Sequence, residues 1–233
     1  MRYSRQIIME CIGEAGQDKL SKAKVAVIGA GGLGCFVLNE LSSAGIGYLR
    51  IIENDDVSLS NLNRQFIYKE SDVSKSKIEL VVDYLKERNS SLKIDDVKLK
   101  IDDSNIESLL KNVDIVVDCV DNVETRIVVN DYCVENDIPL VEAGINGLYG
   151  FVIAIRKAYP CLRCIGYEKT KTVITNEALG AAVGIVASIQ ALEVIKIILE
   201  MNELLYGNML MVDCNEYTLE KVPLKISKEC HRH

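Results

Sequence analysis

Gly29-Ala30-Gly31-Gly32-Leu33-Gly34 is a G-x-G-x-x-G run set directly after the β-branched stretch Val25-Ala26-Val27-Ile28 and before a helical pattern. Glycines at this spacing let a nucleotide approach the backbone, and the helix N-terminus that follows faces anionic phosphate. Glu53 ends the next apolar stretch, where an acid can accept hydrogen bonds from ribose hydroxyls. These features alone fit a nicotinamide-dependent oxidoreductase. The residues that follow argue for a different nucleotide. Asp55, Asn61, Arg64, Gln65 and Lys77 crowd one region, and an uncharged nicotinamide has no use for such cations, whereas a triphosphate does. Arginine clamps phosphate oxygens through a planar fork and lysine acts as a compact point charge, so Arg64 and Lys77 are expected to neutralise a departing pyrophosphate. The competing reading is a solvated, salt-bridged surface.

Asp114-Ile115-Val116-Val117-Asp118-Cys119-Val120-Asp121-Asn122 places carboxylates at the C-terminal end of an apolar strand, the edge where open α/β sheets bind ligands. Magnesium takes one or two carboxylates plus phosphate oxygens and water, so Asp121 is a candidate magnesium ligand. Its competing role is to cap the following helix. Cys161 and Cys164 form a C-x-x-C pair, which raises metal binding in a chain with 8 cysteines. Cys35, Cys119 and Cys133 lie in apolar surroundings and read as small hydrophobes rather than nucleophiles.

The elements that must position these residues alternate between short apolar runs and helical patterns. Strands are expected at residues 25–28, 48–53, 97–101, 114–119, 140–142 and 151–155. Helices are expected from the glycine run to about residue 44, and over 73–88, 105–111, 123–136 and 179–201. Gly144 to Gly150 reads as a glycine-rich turn, Gly166 to Glu177 as a crossover loop near the site, and Met209–Asp213 and Tyr217–Leu224 as antiparallel strands. The βαβ order implies an α/β fold: a Rossmann-like, mainly parallel sheet with helices on both faces, extended by C-terminal antiparallel strands.

Composition removes several other classes. At 233 residues and 48% apolar side chains the chain suffices for one large domain. Lys plus Arg total 27 against 34 for Asp plus Glu, a net charge of -7 that offers no field for a polyanion, so nucleic acid is not an expected partner. The stretch from Met1 to Ile7 lacks the apolar core of a secretory signal, and a cytoplasmic chain without disulfides is expected. Ala178 to Leu199 is the most apolar stretch, but Gln190, Glu193 and Lys196 interrupt it, so a buried helix is expected and no membrane partner.

Several spaced motifs, taken in order, resemble the ThiF/MoeB/HesA family, relatives of the ubiquitin-activating enzymes. They are Arg2-Tyr3-Ser4-Arg5-Gln6-Ile7, Gly16-Gln17-x-Lys19-Leu20, the glycine run, Ser60-Asn61-Leu62-Asn63-Arg64-Gln65, Asp118-Cys119-Val120-Asp121-Asn122-x-x-x-Arg126, Pro160-Cys161-x-x-Cys164 and Gln190-Ala191-x-Glu193. The match runs over nearly the whole sequence, and residues 1–233 are expected to form a single adenylation domain.

The resemblance implies that Gly31, Gly32 and Gly34 line an ATP site, that Glu53 holds ribose and that Asp121 positions magnesium. It also implies that Asn61, Arg64, Gln65 and Lys77, with Asp55 beside them, engage the phosphates or the adenine side. Arg5 is similar to an arginine that family members insert from a partner subunit, which implies a homodimer. The implied reaction is ATP-dependent adenylation of a carboxylate with release of pyrophosphate. The implied substrate is the C-terminal glycine of a ubiquitin-like sulfur-carrier protein used in molybdopterin or thiamine synthesis. The alternative is a small-molecule carboxylate such as the guanylylpyridinol acid of iron-hydrogenase cofactor assembly. Family members often hold a structural zinc with two C-x-x-C pairs. Here the second pair reads Cys230-His231-Arg232-His233, so Cys161, Cys164, Cys230 and His233 are the implied ligands, with His231 as the alternative fourth. Some relatives carry a cysteine in the crossover loop where this chain has Val173, and no cysteine occurs from Ile165 to Asn208. A covalent thioester or acyl-disulfide step on this loop is therefore not expected.

Overall fold

A computed structural model describes residues 2–169 and 177–233 of the chain. The elements run α1 (Ser4–Ile7), α2 (Gly13–Lys22), β1 (Lys24–Ile28), α3 (Gly32–Ala44), β2 (Tyr48–Ile52), α4 (Lys77–Arg88), β3 (Lys93–Val97) and α5 (Ile106–Leu110). They continue with β4 (Ile115–Asp118), α6 (Val123–Glu135), β5 (Leu140–Asn146), β6 (Tyr149–Ile155), α7 (Gly180–Ile198), β7 (Asn208–Asp213) and β8 (Thr218–Pro223). The strands form one sheet in the order β3-β2-β1-β4-β5-β6-β7-β8. The first five are parallel and the remainder join through antiparallel pairs, as expected for the fold class.

Apart from Lys24 at the start of β1 and Asp118 at the end of β4, both strands are apolar, because both faces of the sheet are covered there. Val25 and Val27 point into a cluster with α3, α4 and α7, while Ala26 and Ile28 point into a second cluster with α5 and α6. After β1 the chain moves outward to β2 and β3, then returns to the other side of β1 as β4. The direction of winding reverses between β1 and β4, which opens a crevice at their C-terminal ends.

Two glycines of the G-x-G-x-x-G run are required by close approach. Gly29 has φ +92°, and a Cβ there would stand 3.0 Å from the Cys119 carbonyl oxygen. A Cβ on Gly34 would stand 2.1 Å from the Gly29 carbonyl oxygen, so the first turn of α3 can lie against the end of β1 only without a side chain at that position.

By length and composition α7 could span a bilayer, but its buried side carries polar anchors to the sheet. Gln190 donates to the Asp118 and Val141 carbonyls at 2.8 and 3.1 Å, and Glu193 accepts from the Leu205 N–H at 2.6 Å. These contacts make it a core helix of the α/β domain.

Some boundaries differ from expectation. The helix expected from residue 73 begins at Lys77, because Ser74 has positive φ and Ser76 bridges Asp56 in antiparallel fashion. The strand expected at 97–101 lies at Lys93–Val97 instead. It is a sheet-edge strand whose Asp95 is drawn in by Tyr48 and Arg50, so charge there is compatible with pairing. The glycine-rich turn shrinks to a tight hairpin because β5 and β6 extend to Asn146 and from Tyr149. Residues 170–176 of the expected crossover loop, including Val173, lie outside the described residues.

Replacing Gly34 with alanine should cost about 1–3 kcal/mol of stability through overpacking. Gly31→Ala, whose Cβ would meet nothing closer than 3.6 Å, should leave stability within about 0.5 kcal/mol. Paired thermal melts of the two variants check this, and equal melting temperatures would contradict the packing role of Gly34.

Candidate active site

The crevice between the ends of β1 and β4 is a cleft of about 650 Å3, within the usual size for a cofactor-sized ligand. Gly31, Gly32, Glu53, Asp55, Asn61, Arg64, Gln65, Lys77 and Asp121 all line it. Two expected residues do not. Gly34 sits in the first turn of α3, where it packs against the end of β1 and is not among the residues lining the cleft. Arg5 is exposed on α1, outside the cleft of its own chain.

The glycine turn is fixed from both sides. Glu53, almost fully buried, accepts from the Ala30 N–H at 2.8 Å through one oxygen and from the Asn54 and Asp55 N–H groups at 2.7 and 2.8 Å through the other. Tyr68, whose phenol is pushed up by burial and so stays a donor, gives its hydroxyl proton to the Ala30 carbonyl at 2.8 Å. A carboxylate offers about four acceptor positions, so Glu53 keeps capacity for a ribose hydroxyl beside the backbone bonds it makes.

The cations are arranged for an anion and not as a solvated salt-bridged face. Lys77 opens α4 with its side chain 5% exposed, and its ammonium has Asp55 as ion-pair partner at 3.3 Å. That single long contact leaves lysine donors over. The Arg64 guanidinium donates to the neutral oxygens of Ser60 and Asn63 at 2.9 and 2.8 Å, and among the described residues no carboxylate neutralises it. Gln65 is buried with its amide oxygen unpaired among the described residues, and its amide nitrogen lies beside Gly31. An unpaired buried acceptor costs about 1–3 kcal/mol, and a ligand N–H at this end of the cleft would remove that cost.

Asp121 is exposed and has no hydrogen-bond partner among the described residues. The capping role belongs to Asn122, whose side chain accepts from the Thr125 N–H at 2.9 Å, leaving the neighbouring carboxylate available to a cation. Sequence reasoning left Lys100, Thr125, Tyr149 and Tyr167 of the cleft lining unassigned. It also gave no role to Arg126, although the Asp121-Asn122-x-x-x-Arg126 spacing contained it. Arg126 donates to the Val120 and Ala143 carbonyls at 2.6 and 2.8 Å and is ion-paired with Glu142.

None of the buried thiols is prepared as a nucleophile. Burial pushes Cys35 up to about 12 and Cys119 and Cys133 well above their ordinary value, so the reactive thiolate is scarce at neutral pH.

Cys161, Cys164, Cys230 and His233 converge away from the cleft, with ligand atoms within 4.8 Å of one another. The Cys161 sulfur lies 3.9 Å from that of Cys164 and 3.8 Å from that of Cys230. Thiolates about 2.3 Å from a tetrahedral zinc stand about 3.8 Å apart, so this donor set fits such an ion. His233 Nδ1 lies 2.8 Å from the Lys157 carbonyl oxygen, an outer contact that fixes the ring and frees Nε2. Of the two histidines, His233 is the one in the cluster. Arg232 pairs with Asp131 and Glu135 of α6, which brings the tail to this place.

The family model that matches the chain is the ThiF family, over residues 3–232. The chain is 40% identical to an adenylyltransferase and sulfurtransferase MOCS3 of Culex quinquefasciatus, over 97% of this chain and 53% of that protein. It is 36% identical to a SAMP-activating enzyme E1 of Haloferax volcanii, over 98% of this chain and 87% of that protein. The chain thus spans about half the length of the MOCS3 relative and most of the archaeal one. A crystal structure of E. coli MccB with ATP superposes with a TM-score of 0.86 at 27% identity, covering 99% of this chain and 73% of that one.

Lys77→Met keeps the buried apolar stem and removes the charge. ATP affinity should fall about tenfold to a hundredfold, the loss of one charged hydrogen-bond partner. Calorimetric titration of ATP with magnesium checks this, and unchanged affinity would restore the surface-charge reading.

Proposed function

Because this chain belongs to the ThiF family, we propose that it is an ATP-dependent adenylyltransferase that converts a carboxylate into its acyl-adenylate and releases pyrophosphate. The observation that carries this reading is the convergence on the cleft walled by the glycine turn of a buried Lys77 with Arg64 and Asp121, neither of which has a charged partner among the described residues. A dinucleotide site for hydride transfer has no need of that set.

The backbone at Gly31 and Gly32 admits the nucleotide phosphates at the start of α3, Glu53 takes a ribose hydroxyl, and Asn61 and Gln65 complete the nucleotide side. A carboxylate oxygen of the acid attacks the α-phosphorus in line. The new O–P bond forms as the bond to the bridging oxygen breaks, and pyrophosphate leaves with that electron pair. Arg64 and Lys77 stabilise the charge that grows on the leaving group, so the protein contributes positioning and electrostatics and no nucleophile of its own. Magnesium, held by Asp121 with phosphate oxygens and water, would supply further charge neutralisation there.

The acid we favour is the C-terminal carboxylate of a ubiquitin-like sulfur-carrier protein, a reading supported by the archaeal SAMP-activating relative. The absence of cysteine from Ile165 to Asn208 supports a second reading in which a small-molecule carboxylate is the acid. Arg5, exposed and outside its own cleft, would complete the site of a second copy in a homodimer. Residues 1–233 would act as one adenylation domain in the cytoplasm, and the Cys161, Cys164, Cys230 and His233 cluster would hold a structural zinc tying the tail to the loop after β6.

Exchange of labelled pyrophosphate into ATP should depend on a carrier protein with a free C-terminal glycine. Dependence on a small acid instead would select the second reading, and exchange with neither would overturn the adenylyltransferase assignment. Asp121→Ala should abolish exchange with its far-ultraviolet circular dichroism unchanged, and normal turnover in that variant would remove Asp121 from the reaction.

For the cluster, metal analysis should find about one zinc per chain. Its removal by a chelator should lower the melting temperature, since the metal links segments distant in sequence. A metal-free preparation with the same melting temperature would contradict it.

A further inference from the structure

The turn that carries Asp121 is held by a buried ionic cluster, one member of which belongs to none of the motifs. Asp118 ends β4 and accepts from the Val120 N–H at 2.9 Å. Arg126, in the first turns of α6, donates to the Val120 carbonyl at 2.6 Å. One residue is thereby gripped at both its N–H and its C=O, and the next residue is Asp121. Arg126 is in turn held by Glu142, directly across from Asp118 on the neighbouring strand, and by the Ala143 carbonyl at 2.8 Å. Asp118 and Glu142 are fully buried and Arg126 nearly so.

We propose that Glu142 is a positioning residue: by fixing the Arg126 guanidinium it fixes the Val120 peptide, and so sets the place of the Asp121 carboxylate and the cleft's response to a divalent cation. This rests on the adenylyltransferase reading, in which Asp121 meets magnesium beside the phosphates.

The charge balance of the cluster agrees with a fixed geometry. Each acid has one oxygen with no partner among the described residues, Asp118 Oδ2 and Glu142 Oε2. Burial pushes Glu142 well up, and its neighbour Asp118 adds to this against the opposing charge of Arg126. Burial raises both acids, and one proton shared between Glu142 and Asp118 would satisfy both oxygens and leave one negative charge against one guanidinium. A neutral, fully bonded cluster has little freedom to shift. Partners that orient metal ligands typically change metal affinity about 10–100-fold when removed.

The test is calorimetric titration of ATP into the whole chain, in chelator and across a series of magnesium concentrations. In the wild type magnesium should strengthen ATP binding. Glu142→Val suits a strand but removes the acceptor for Arg126. It should need about tenfold more magnesium for the same strengthening, while its ATP affinity in chelator stays within about twofold of wild type. Glu142→Gln keeps an oxygen toward Arg126 and should restore the wild-type magnesium dependence. If Glu142→Val does not fold, Arg126→Lys replaces the fork by one ammonium that cannot span the Glu142 carboxylate and both carbonyls, and it should show the same magnesium shift. A folded Glu142→Val, or failing it Arg126→Lys, with wild-type magnesium dependence would overturn the positioning role while leaving the adenylyltransferase reading intact. A wild-type chain that binds no ATP with magnesium would overturn that reading and the present one together.

Discussion

The cleft depends on two turns at the ends of β1 and β4, each held by buried side chains at both the N–H and the C=O of one residue. In the glycine turn that residue is Ala30, gripped by the Glu53 carboxylate and the Tyr68 hydroxyl. In the Asp121 turn it is Val120, gripped by Asp118 and Arg126. A turn at the edge of a sheet has no ladder to define it, and bonds of this kind take the place of one. The fold supplies the crevice through the reversal of strand order, and the paired grips keep it open with its backbone donors and its carboxylate aimed inward. Preorganisation of this sort lets fixed dipoles act on a developing charge without reorganising at the moment of reaction.

Within that frame the charges are unevenly satisfied. Arg126 is neutralised within its buried cluster with Asp118 and Glu142 and belongs to the scaffold. Arg64 bonds only neutral oxygens among the described residues, and Lys77 meets a largely exposed Asp55 at a long distance. The difference separates cations that hold the protein together from cations kept for a ligand. A triphosphate, a compact polyanion, is the ligand that this asymmetry suits.

Much of this was legible in the sequence because the informative residues are close together along the chain. The glycine run follows its strand, Arg64 and Gln65 sit in one short motif, and Cys161 and Cys164 are a local pair. Strand-to-strand contacts were not legible. Glu142 acts through its register with Asp118 on a neighbouring strand, and nothing within its own segment distinguishes it from an exposed acid. Gly34 fits the motif, yet the packing that requires it, its close approach to Gly29, is visible only in the structure. The edge strand β3 was misplaced because its charged residues obscure the alternation, and the start of α4 because Ser76 is taken up by a bridge to Asp56. The cap at the start of α6 is supplied by Asn122 and not by Asp121, which spacing alone did not reveal.

The charges that line this cleft suit a triphosphate and not a nicotinamide dinucleotide. Equilibrium titration of the purified chain with each ligand, under identical buffer and magnesium, tests it most directly. Saturable uptake of ATP with magnesium, and none of NAD, is the expected result. Uptake of NAD with indifference to ATP would contradict it.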